Sequence, residues 1–431
     1  MLYSIAKPIT TIALKVFFKK IYLSNADRLP RDKPVLLAAN HPTAFLEPCI
    51  LACFLDRPLY FLVRGDLFVK PFYTKLLNDL HMLPVYRAKD RGYAFLKQNY
   101  ETFDACYDSL RQNQIVMILA EGHTVWEKRL RPLKKGTARL AFGALEKYPE
   151  LEDIYIIPTG VNFTYADRFR SDIMIDIGEP ILARDFLEEY KANPTTGINS
   201  LTEVLRRAME DRIVIVENPE DDTLAEHLFI LDRSHRPVPW LPVFSFNGAP
   251  LQAEINAANI VNKMTDEDKQ SALQATKIYF SELKKYQLDD LTLVTNRPKS
   301  NFFASILLLI GFIPFALGYL LNAGPLLLAK SIAGKKVKHI EFYSPVMVAI
   351  GMVLYLIYFI LWAILLPVFG PGWWSFLVFA IPLLGGWALF YREFYHEFAQ
   401  KLKYNRLNEA LKTSLSEKRK LAAAWLGTQT K

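Results

Sequence analysis

A histidine and a carboxylate lie just after a short apolar run: His41 and Glu47 follow residues 34–39. The run has the length of a buried strand, and α/β folds place their chemistry just past strand ends. A neutral imidazole held by a carboxylate is a general base that can take a proton from an alcohol. An unbroken helix over residues 41–47 would set the two side chains about 120° apart, so we predict a turn at Pro42 that brings them together. Taken alone, the pair is more typical of a capping histidine and a surface glutamate than of a catalytic pair.

Three later segments also place polar residues at the end of an apolar run. Residues 83–87 form a short predicted strand that ends in Arg87. Residues 115–119 are apolar and lead into Glu121, Gly122, His123 and Thr124. Residues 154–161 form a further predicted strand, which contains a proline and a glycine.

In this order and spacing the four blocks resemble the glycerolipid acyltransferase family, whose members acylate glycerol-3-phosphate or 1-acylglycerol-3-phosphate (lysophosphatidic acid). The resemblance covers about residues 30–190. It implies that His41 deprotonates the acceptor hydroxyl and that Glu47 orients the imidazole and stabilises the imidazolium. It also implies a substrate-binding pocket that contains Asn40, Arg87, Glu121, Gly122, His123 and Thr124.

The sequence departs from the family pattern at several positions. Glu47 stands where the family has aspartate, with five residues between it and His41. Ala120 replaces the usual proline, and a His-Thr pair stands where many members have Thr-Arg. The charge of the missing phosphate-binding arginine can come from nearby basic residues, namely Arg129, Arg131, Lys134 and Lys135.

The resemblance therefore predicts an acyltransferase that moves a fatty acyl group from acyl-CoA or acyl-carrier protein to a lysophosphatidic acid-type acceptor. Glycerol-3-phosphate and a lyso-aminolipid remain alternative acceptors. The alternative of another class is a catalytically inactive membrane lipid-binding protein. The resemblance implies no metal site and no redox cofactor.

Composition points to a membrane partner. Of the 431 residues 51% are hydrophobic, and the formal net charge is +8. A basic chain suits an anionic membrane surface or nucleic acid, and the long apolar stretches with no nucleic-acid motif favour the membrane. The spacing of Cys49, Cys53 and Cys106 suggests neither a zinc site nor a disulfide framework, so we predict buried free thiols.

The chain divides by pattern into a short N-terminal segment, a catalytic domain and a helical region. Lysines interrupt apolar residues near the N-terminus, and we predict an interfacial amphipathic helix within residues 1–29. A helix packed on the domain itself is an equal alternative there. Alternating elements over residues 30–193 predict an α/β acyltransferase domain with a mixed sheet flanked by helices. Residues 194–300 form a predicted helical region whose role the sequence leaves open.

Residues 301–392 are predicted to lie in the membrane, followed by a basic cytoplasmic tail over residues 393–431. Residues 344–369 and 373–391 are long and apolar enough to span. Lysines and arginines near the ends of a span are retained on the cytoplasmic side. A catalytic domain that uses a thioester donor must also face the cytoplasm. We therefore predict a cell-membrane protein with its catalytic domain on the cytoplasmic face. This charge bias is satisfied when residues 302–329 re-enter, turning at the Asn-Ala-Gly-Pro sequence at 322–325.

Overall fold

The computed structural model describes residues 2–68, 70–86, 99–295 and 302–427. It contains two compact units, each of which combines separate stretches of the chain. The first unit comprises Met1–Val214, Val243–Leu251 and Val337–Val348. The second comprises Ile215–Pro242, Gln252–Lys336 and Ala349–Lys431. The unit that holds the sheet is thus larger than the predicted residues 30–193, because short distant segments pack into it.

Among the described residues, nine strands form one mixed sheet. They are β1 Lys20–Ser24, β2 Val35–Ala39, β3 Leu59–Arg64, β4 Met82–Val85, β5 Ile115–Leu119, β6 Tyr155–Phe163, β7 Asp172–Ile177, β8 Ile181–Leu182 and β9 Phe244–Ser245. Their order is β4-β3-β5-β2-β6-β7-β1-β9, with β8 paired to β6. Most neighbouring pairs are parallel, whereas β6 pairs antiparallel with β7 and β8. The predicted mixed sheet is confirmed.

The centre of the sheet sets the position of the histidine. Every residue of β2 is buried, which explains why this strand reads as an unbroken apolar run. β2 lies between β5 and β6 and is parallel to both, so that Ala39 pairs with Leu119 and with Thr159. The carboxyl ends of the three strands therefore meet at one edge of the sheet.

Helices of the first unit connect these strands. They are α1 Leu2–Phe17, α2 Leu46–Phe54, α3 Pro71–Asp79, α4 Asn99–Arg111, α5 Gly136–Lys147, α6 Leu187–Ala192 and α7 Pro194–Glu210. α2 begins only at Leu46, so residues 40–45 form a turn between β2 and the helix, as predicted. Helix α7 begins at an asparagine cap, where Asn193 Oδ1 accepts hydrogen bonds from the amides of Thr195 and Thr196.

The N-terminal prediction needs a correction. The segment 1–29, for which the sequence predicts one helix, also contains a strand: α1 ends at Phe17, and Lys20–Ser24 is strand β1. β1 is buried along its whole length because it pairs with both β7 and β9. β9 likewise places a strand inside the predicted helical region. Helix α1 buries Leu14 in the core and exposes Ile12, so its interfacial role stays a prediction.

The remaining helices lie mainly in the second unit. They are α8 Asp222–His235, α9 Ala249–Lys263, α10 Asp266–Tyr286, α11 Asp290–Val294, α12 Phe302–Lys336, α13 Tyr343–Phe369, α14 Ala380–Asn405 and α15 Glu409–Ala423. Helix α10 begins at the predicted cap, Thr265, whose hydroxyl accepts from the amide of Asp268. A buried carboxylate, Asp290, accepts hydrogen bonds from Tyr279 and from Arg419. This network joins α10 and α11 to the C-terminal helix α15.

By length and composition, three segments of the described chain can cross a membrane: Phe302–Lys336, Ile340–Phe369 and Gly372–Asn405. The predicted break at residues 322–325 is wrong, because α12 is continuous across it. Within this helix the side-chain Nδ2 of Asn322 donates to Gly318 O at 2.8 Å and to Ile381 O of α14 at 2.9 Å. The polar group that suggested a turn instead joins two helices.

Candidate active site

The site lies where β2 and β5 end side by side. The amide of Ala120 donates to Ala39 O at 2.9 Å, which continues the pairing one residue beyond β5. Glu121 follows Ala120 directly, and His41 lies two residues after Ala39. The sheet therefore brings together two sequence blocks that lie 80 residues apart.

Asn40 is buried, and its side chain holds the backbone just before the histidine. Its Nδ2 donates to Val161 O at 2.9 Å, and its Oδ1 accepts from the Val161 amide at 2.7 Å. Both ends of the amide are thus bonded to β6. The predicted substrate contact for this residue stays a prediction, whereas the geometry supports a positioning role.

The turn after β2 brings the predicted dyad together. His41 Nδ1 lies 3.8 Å from Glu47 Oε1, beyond hydrogen-bond distance. Glu47 is fully buried, and its Oε1 accepts from the Thr43 amide at 2.5 Å and from the Thr43 hydroxyl at 3.0 Å. Within the described residues, His41 Nδ1 and Glu47 Oε2 have no hydrogen-bond partner. An approach of about 1 Å would bring Nδ1 and Oε1 to a normal hydrogen-bond separation.

Thr124 contacts the other ring nitrogen of the same histidine. Its Oγ1 lies 2.6 Å from His41 Nε2. When the hydroxyl donates this bond, Nε2 is unprotonated and the ring proton lies on Nδ1, beside Glu47. A hydroxyl, an imidazole and a carboxylate are then arranged in series, which is the order that general-base catalysis requires.

Glu121 joins the histidine turn to a later loop through backbone groups. Its Oε1 accepts from the His41 amide at 2.7 Å, and its Oε2 accepts from the Arg131 amide at 3.2 Å. Burial raises the pKa of the Glu121 carboxyl, and the two amide hydrogen bonds oppose that rise. A carboxylate would repel a phosphate, so this geometry supports a positioning role.

The residues after Glu121 form a tight turn. Gly122 has a φ of 71°, and a Cβ there would lie 2.9 Å from Lys134 Cγ. The Lys134 amide donates to Ala120 O at 2.7 Å, so the later loop packs across the turn. His123 Nδ1 lies 3.1 Å from Glu121 O. The predicted substrate contacts of Gly122 and His123 remain predictions, and any side chain at position 122 would be strained.

Two of the proposed replacement cations share a partner that the sequence reasoning missed. Glu127 pairs with Arg131 Nε through a hydrogen bond and has its Oε2 3.7 Å from Arg129 Nη1. Both arginine side chains are partly exposed, 18% and 24%. Glu127 stands four residues before Arg131, but that spacing indicates an ion pair only in a helix, and this segment is a loop. Arg87, the other predicted phosphate ligand, lies outside the described residues.

Other candidate side chains have structural partners. His81 is stacked between Tyr3 and Tyr60, with ring centroids 4.4 and 4.3 Å away. Arg64 pairs with Asp66 at 2.7 Å. In the described part of the chain no three histidine, cysteine, aspartate or glutamate side chains group in a way that could hold a metal ion.

Comparisons with known proteins match the region that carries this site. Residues 20–162 match the profile of the Acyltransferase protein family. Glycerol-3-phosphate O-acyltransferase 2 of Saccharomyces cerevisiae is 31% identical over 134 residues, which is 31% of this chain and 18% of that protein. Glycerol-3-phosphate O-acyltransferase 1 of the same yeast is 31% identical over 100 residues, or 23% of this chain and 13% of that protein. This chain therefore spans less than a fifth of the length of either yeast relative.

A crystal structure of the 1-acyl-sn-glycerophosphate acyltransferase from Thermotoga maritima aligns with 48% of this chain and 78% of its own. It is 14% identical, with a TM-score of 0.35. The family profile and the two yeast relatives support the resemblance to glycerolipid acyltransferases. Residues 20–162 are thus an acyltransferase domain that is similar to the glycerolipid acyltransferases.

Proposed function

We propose that this protein transfers a fatty acyl group from a thioester donor, acyl-CoA or acyl-carrier protein, to a hydroxyl of a lysophosphatidic acid-type acceptor. The observation that carries the proposal is the contact of His41 Nε2 with a hydroxyl on one side and of His41 Nδ1 with a buried carboxylate on the other. An inactive lipid-binding protein would have no need to keep this series of groups.

In the proposed reaction the acceptor hydroxyl takes the place of the Thr124 hydroxyl at His41 Nε2. His41 removes the hydroxyl proton as the oxygen attacks the thioester carbonyl. The tetrahedral intermediate collapses with cleavage of the carbon–sulfur bond, and the imidazolium returns the proton to the leaving thiolate. Glu47 stabilises the imidazolium between these steps. No acyl-enzyme is needed, because the acceptor attacks the thioester directly.

The acceptor pocket rests on the basic loop that Glu121 holds next to the histidine. Arg131 is tied to that carboxylate through its backbone amide, so its side chain starts from a fixed position. Arg129 and Arg131 are proposed to bind the acceptor phosphate in place of the family's missing arginine, together with Arg87. The yeast relatives are named for glycerol-3-phosphate, which makes that compound the second candidate acceptor.

Transfer of radiolabelled acyl groups by the purified full chain tests the reaction. Both donors are assayed against lysophosphatidic acid, glycerol-3-phosphate and a lyso-aminolipid. His41→Ala should lower the rate by about two to four orders of magnitude, since it removes the base. His396→Ala is the matched control, because this histidine is half-exposed and pairs with Asp289 in the second unit. Normal turnover by the His41 variant, or no transfer by the wild type with any pair, would rule out the proposal.

The acceptor assignment has its own test. Arg131→Ala keeps the amide that binds Glu121 and removes only the guanidinium. It should raise the apparent KM for the acceptor about tenfold or more, because hydrogen bonds to charged groups are the stronger ones. The KM for the donor should change little. Arg111→Ala, which breaks an exposed pair with Glu150, is the control, and equal shifts in both constants would remove the phosphate role.

A further inference from the structure

The turn that carries the catalytic histidine is held by a segment from the far end of the chain. Ala44 lies between His41 and Glu47, and its amide donates to Glu341 O at 3.1 Å. Glu341 belongs to Val337–Val348, which is part of the first compact unit. This segment joins two of the candidate membrane helices, Phe302–Lys336 and Ile340–Phe369.

The segment is built into the first unit at more than one point. The hydroxyl of Ser344 donates a hydrogen bond to Ala166 O, in the loop after β6. Ser344 is 2% exposed, and Met347 and Val348 are also buried. Ser344, at the start of an apolar helix, is thus removed from water and bonded to the acyltransferase domain. A serine in a mobile linker would instead be exposed to water.

The position of the contact matters for the chemistry. Residues 43–47 hold the carboxylate, since Glu47 Oε1 accepts from both the amide and the hydroxyl of Thr43. The amide of the next residue, Ala44, is the one bonded to Glu341. Any shift of the segment therefore moves the turn whose shape sets the 3.8 Å distance between His41 Nδ1 and Glu47 Oε1. Misplacing a catalytic group by about 1 Å can cost about 100-fold in rate.

We propose that residues 337–348 position the catalytic turn for acyl transfer, with Ser344 as the residue that locks the segment in place. The turn between the base and its carboxylate is then held by the segment that leads into a candidate membrane helix. The inference rests on the proposed function, because it concerns the same dyad. Ser344 is a positioning residue and touches no reacting atom.

Kinetics of Ser344→Ala test the role. One lost hydrogen bond should lower kcat about three- to tenfold, with little change in the KM for donor or acceptor. Ser344→Thr, which keeps the hydroxyl, should recover most of the lost kcat. Ser375→Ala is the matched control, because it also removes a serine bond to a backbone carbonyl, that of Ala363, at the other end of the membrane helices. An unchanged kcat in Ser344→Ala would overturn the proposal.

If Ser344→Ala does not fold, a disulfide between the segment and the loop after β6 tests the same contact. The double variant Ala166→Cys with Ser344→Cys should form a disulfide on mild oxidation, found by mass spectrometry of the linked peptides, whereas each single variant should not. The linked protein should keep the kcat that the double variant shows before oxidation. No disulfide, or a disulfide that abolishes turnover, contradicts a segment docked during catalysis. A wild type that is inactive, or a His41→Ala variant that is active, would instead remove the proposed function itself.

Discussion

Two asparagines perform the same local task in the two units, with different consequences. Asn40 bonds both polar ends of its amide to the backbone of β6, and it stands directly before His41, the proposed base. Asn322 bonds its Nδ2 to two carbonyls of α12 and α14 and accepts from the hydroxyl of Tyr355 of α13. Asn40 connects strands that are already hydrogen-bonded in the sheet, whereas Asn322 connects helices whose surfaces are apolar on all sides.

The contrast shows what a buried amide contributes in each setting. Strands β2 and β6 are already paired from Val35 to Ala39. Asn40 therefore fixes the position of the turn more than it stabilises the sheet. Apolar helices in lipid lack a hydrophobic drive to associate, and they depend on close packing and a few polar bonds. An added Cβ at Gly318 would lie 2.1 Å from Leu384 O, which indicates such close packing around Asn322. Loss of Asn40 should therefore affect catalysis, and loss of Asn322 should affect stability.

Asn40→Ala gives the largest expected effect of this comparison. It releases the backbone before His41, and kcat for acyl transfer should fall about 100-fold, as for a catalytic group displaced by about 1 Å. Asn162→Ala is the control, because that side chain is also bonded to backbone at both ends, to Arg212 O and the Val214 amide, but away from the histidine. The control should lose about 1–3 kcal/mol of unfolding free energy and keep its kcat. Equal kcat losses would show that Asn40 has no special link to the site.

Glu121→Gln should have the next largest effect. The carboxylate accepts from two amides, one on each oxygen, whereas a glutamine has a single acceptor oxygen. One amide is left unsatisfied, and kcat should fall about tenfold, within the range for a lost hydrogen bond to a charged group. Circular dichroism and the melting temperature check that the fold persists. A variant with wild-type kcat would show that the histidine turn does not depend on this clamp.

Asn322→Leu sharpens the other half of the comparison. It removes the polar bonds among the three apolar helices and should lower the stability of the membrane region by about 1 kcal/mol. Unfolding in mixed micelles, followed by tryptophan fluorescence, measures this change, with the exposed Ser331→Ala as control. The kcat per folded molecule should stay within about twofold of the wild type. A large loss of kcat without a loss of stability would contradict the contrast drawn between the two asparagines.

The smallest effect concerns His81 and pH. Burial lowers the pKa of His81, and its Nδ1 has no hydrogen-bond partner within the described residues. Because the folded pKa lies below the unfolded value of about 6.5, this histidine's contribution is fully present above that pH and is lost as the pH falls through the folded pKa. His81→Phe keeps an aromatic ring between Tyr3 and Tyr60. The wild type should therefore lose more melting temperature than the variant between about pH 7.5 and pH 5.5, and parallel losses would contradict this.

Sequence alone predicted the elements whose patterns are local. The apolar run before Asn40 became β2, the capping threonine before Asp266 became the start of α10, and three free cysteines were expected and found. Local patterns failed where the partner is remote. Residues 20–24 continue the apolar spacing of α1 but are a strand, because β7 and β9 offer an open ladder on both sides. The Asn-Ala-Gly-Pro sequence that begins at Asn322 predicts a turn, but Asn322 lies within a helix and donates a hydrogen bond to a neighbouring helix.

The site divides in the same way. The sequence was enough to pick out His41 and Glu47 as the candidate base and carboxylate, because they lie six positions apart on one turn. Only the tertiary structure decided the remaining contacts: the Thr124 hydroxyl on Nε2, the Glu121 clamp on the His41 amide and the Glu341 carbonyl on the Ala44 amide. The bonds to the His41 and Ala44 amides each involve a backbone group, and every residue except proline carries such an amide. A pattern of side chains in the sequence therefore cannot identify both partners of either bond. They depend instead on which strand ends and chain segments the fold brings together.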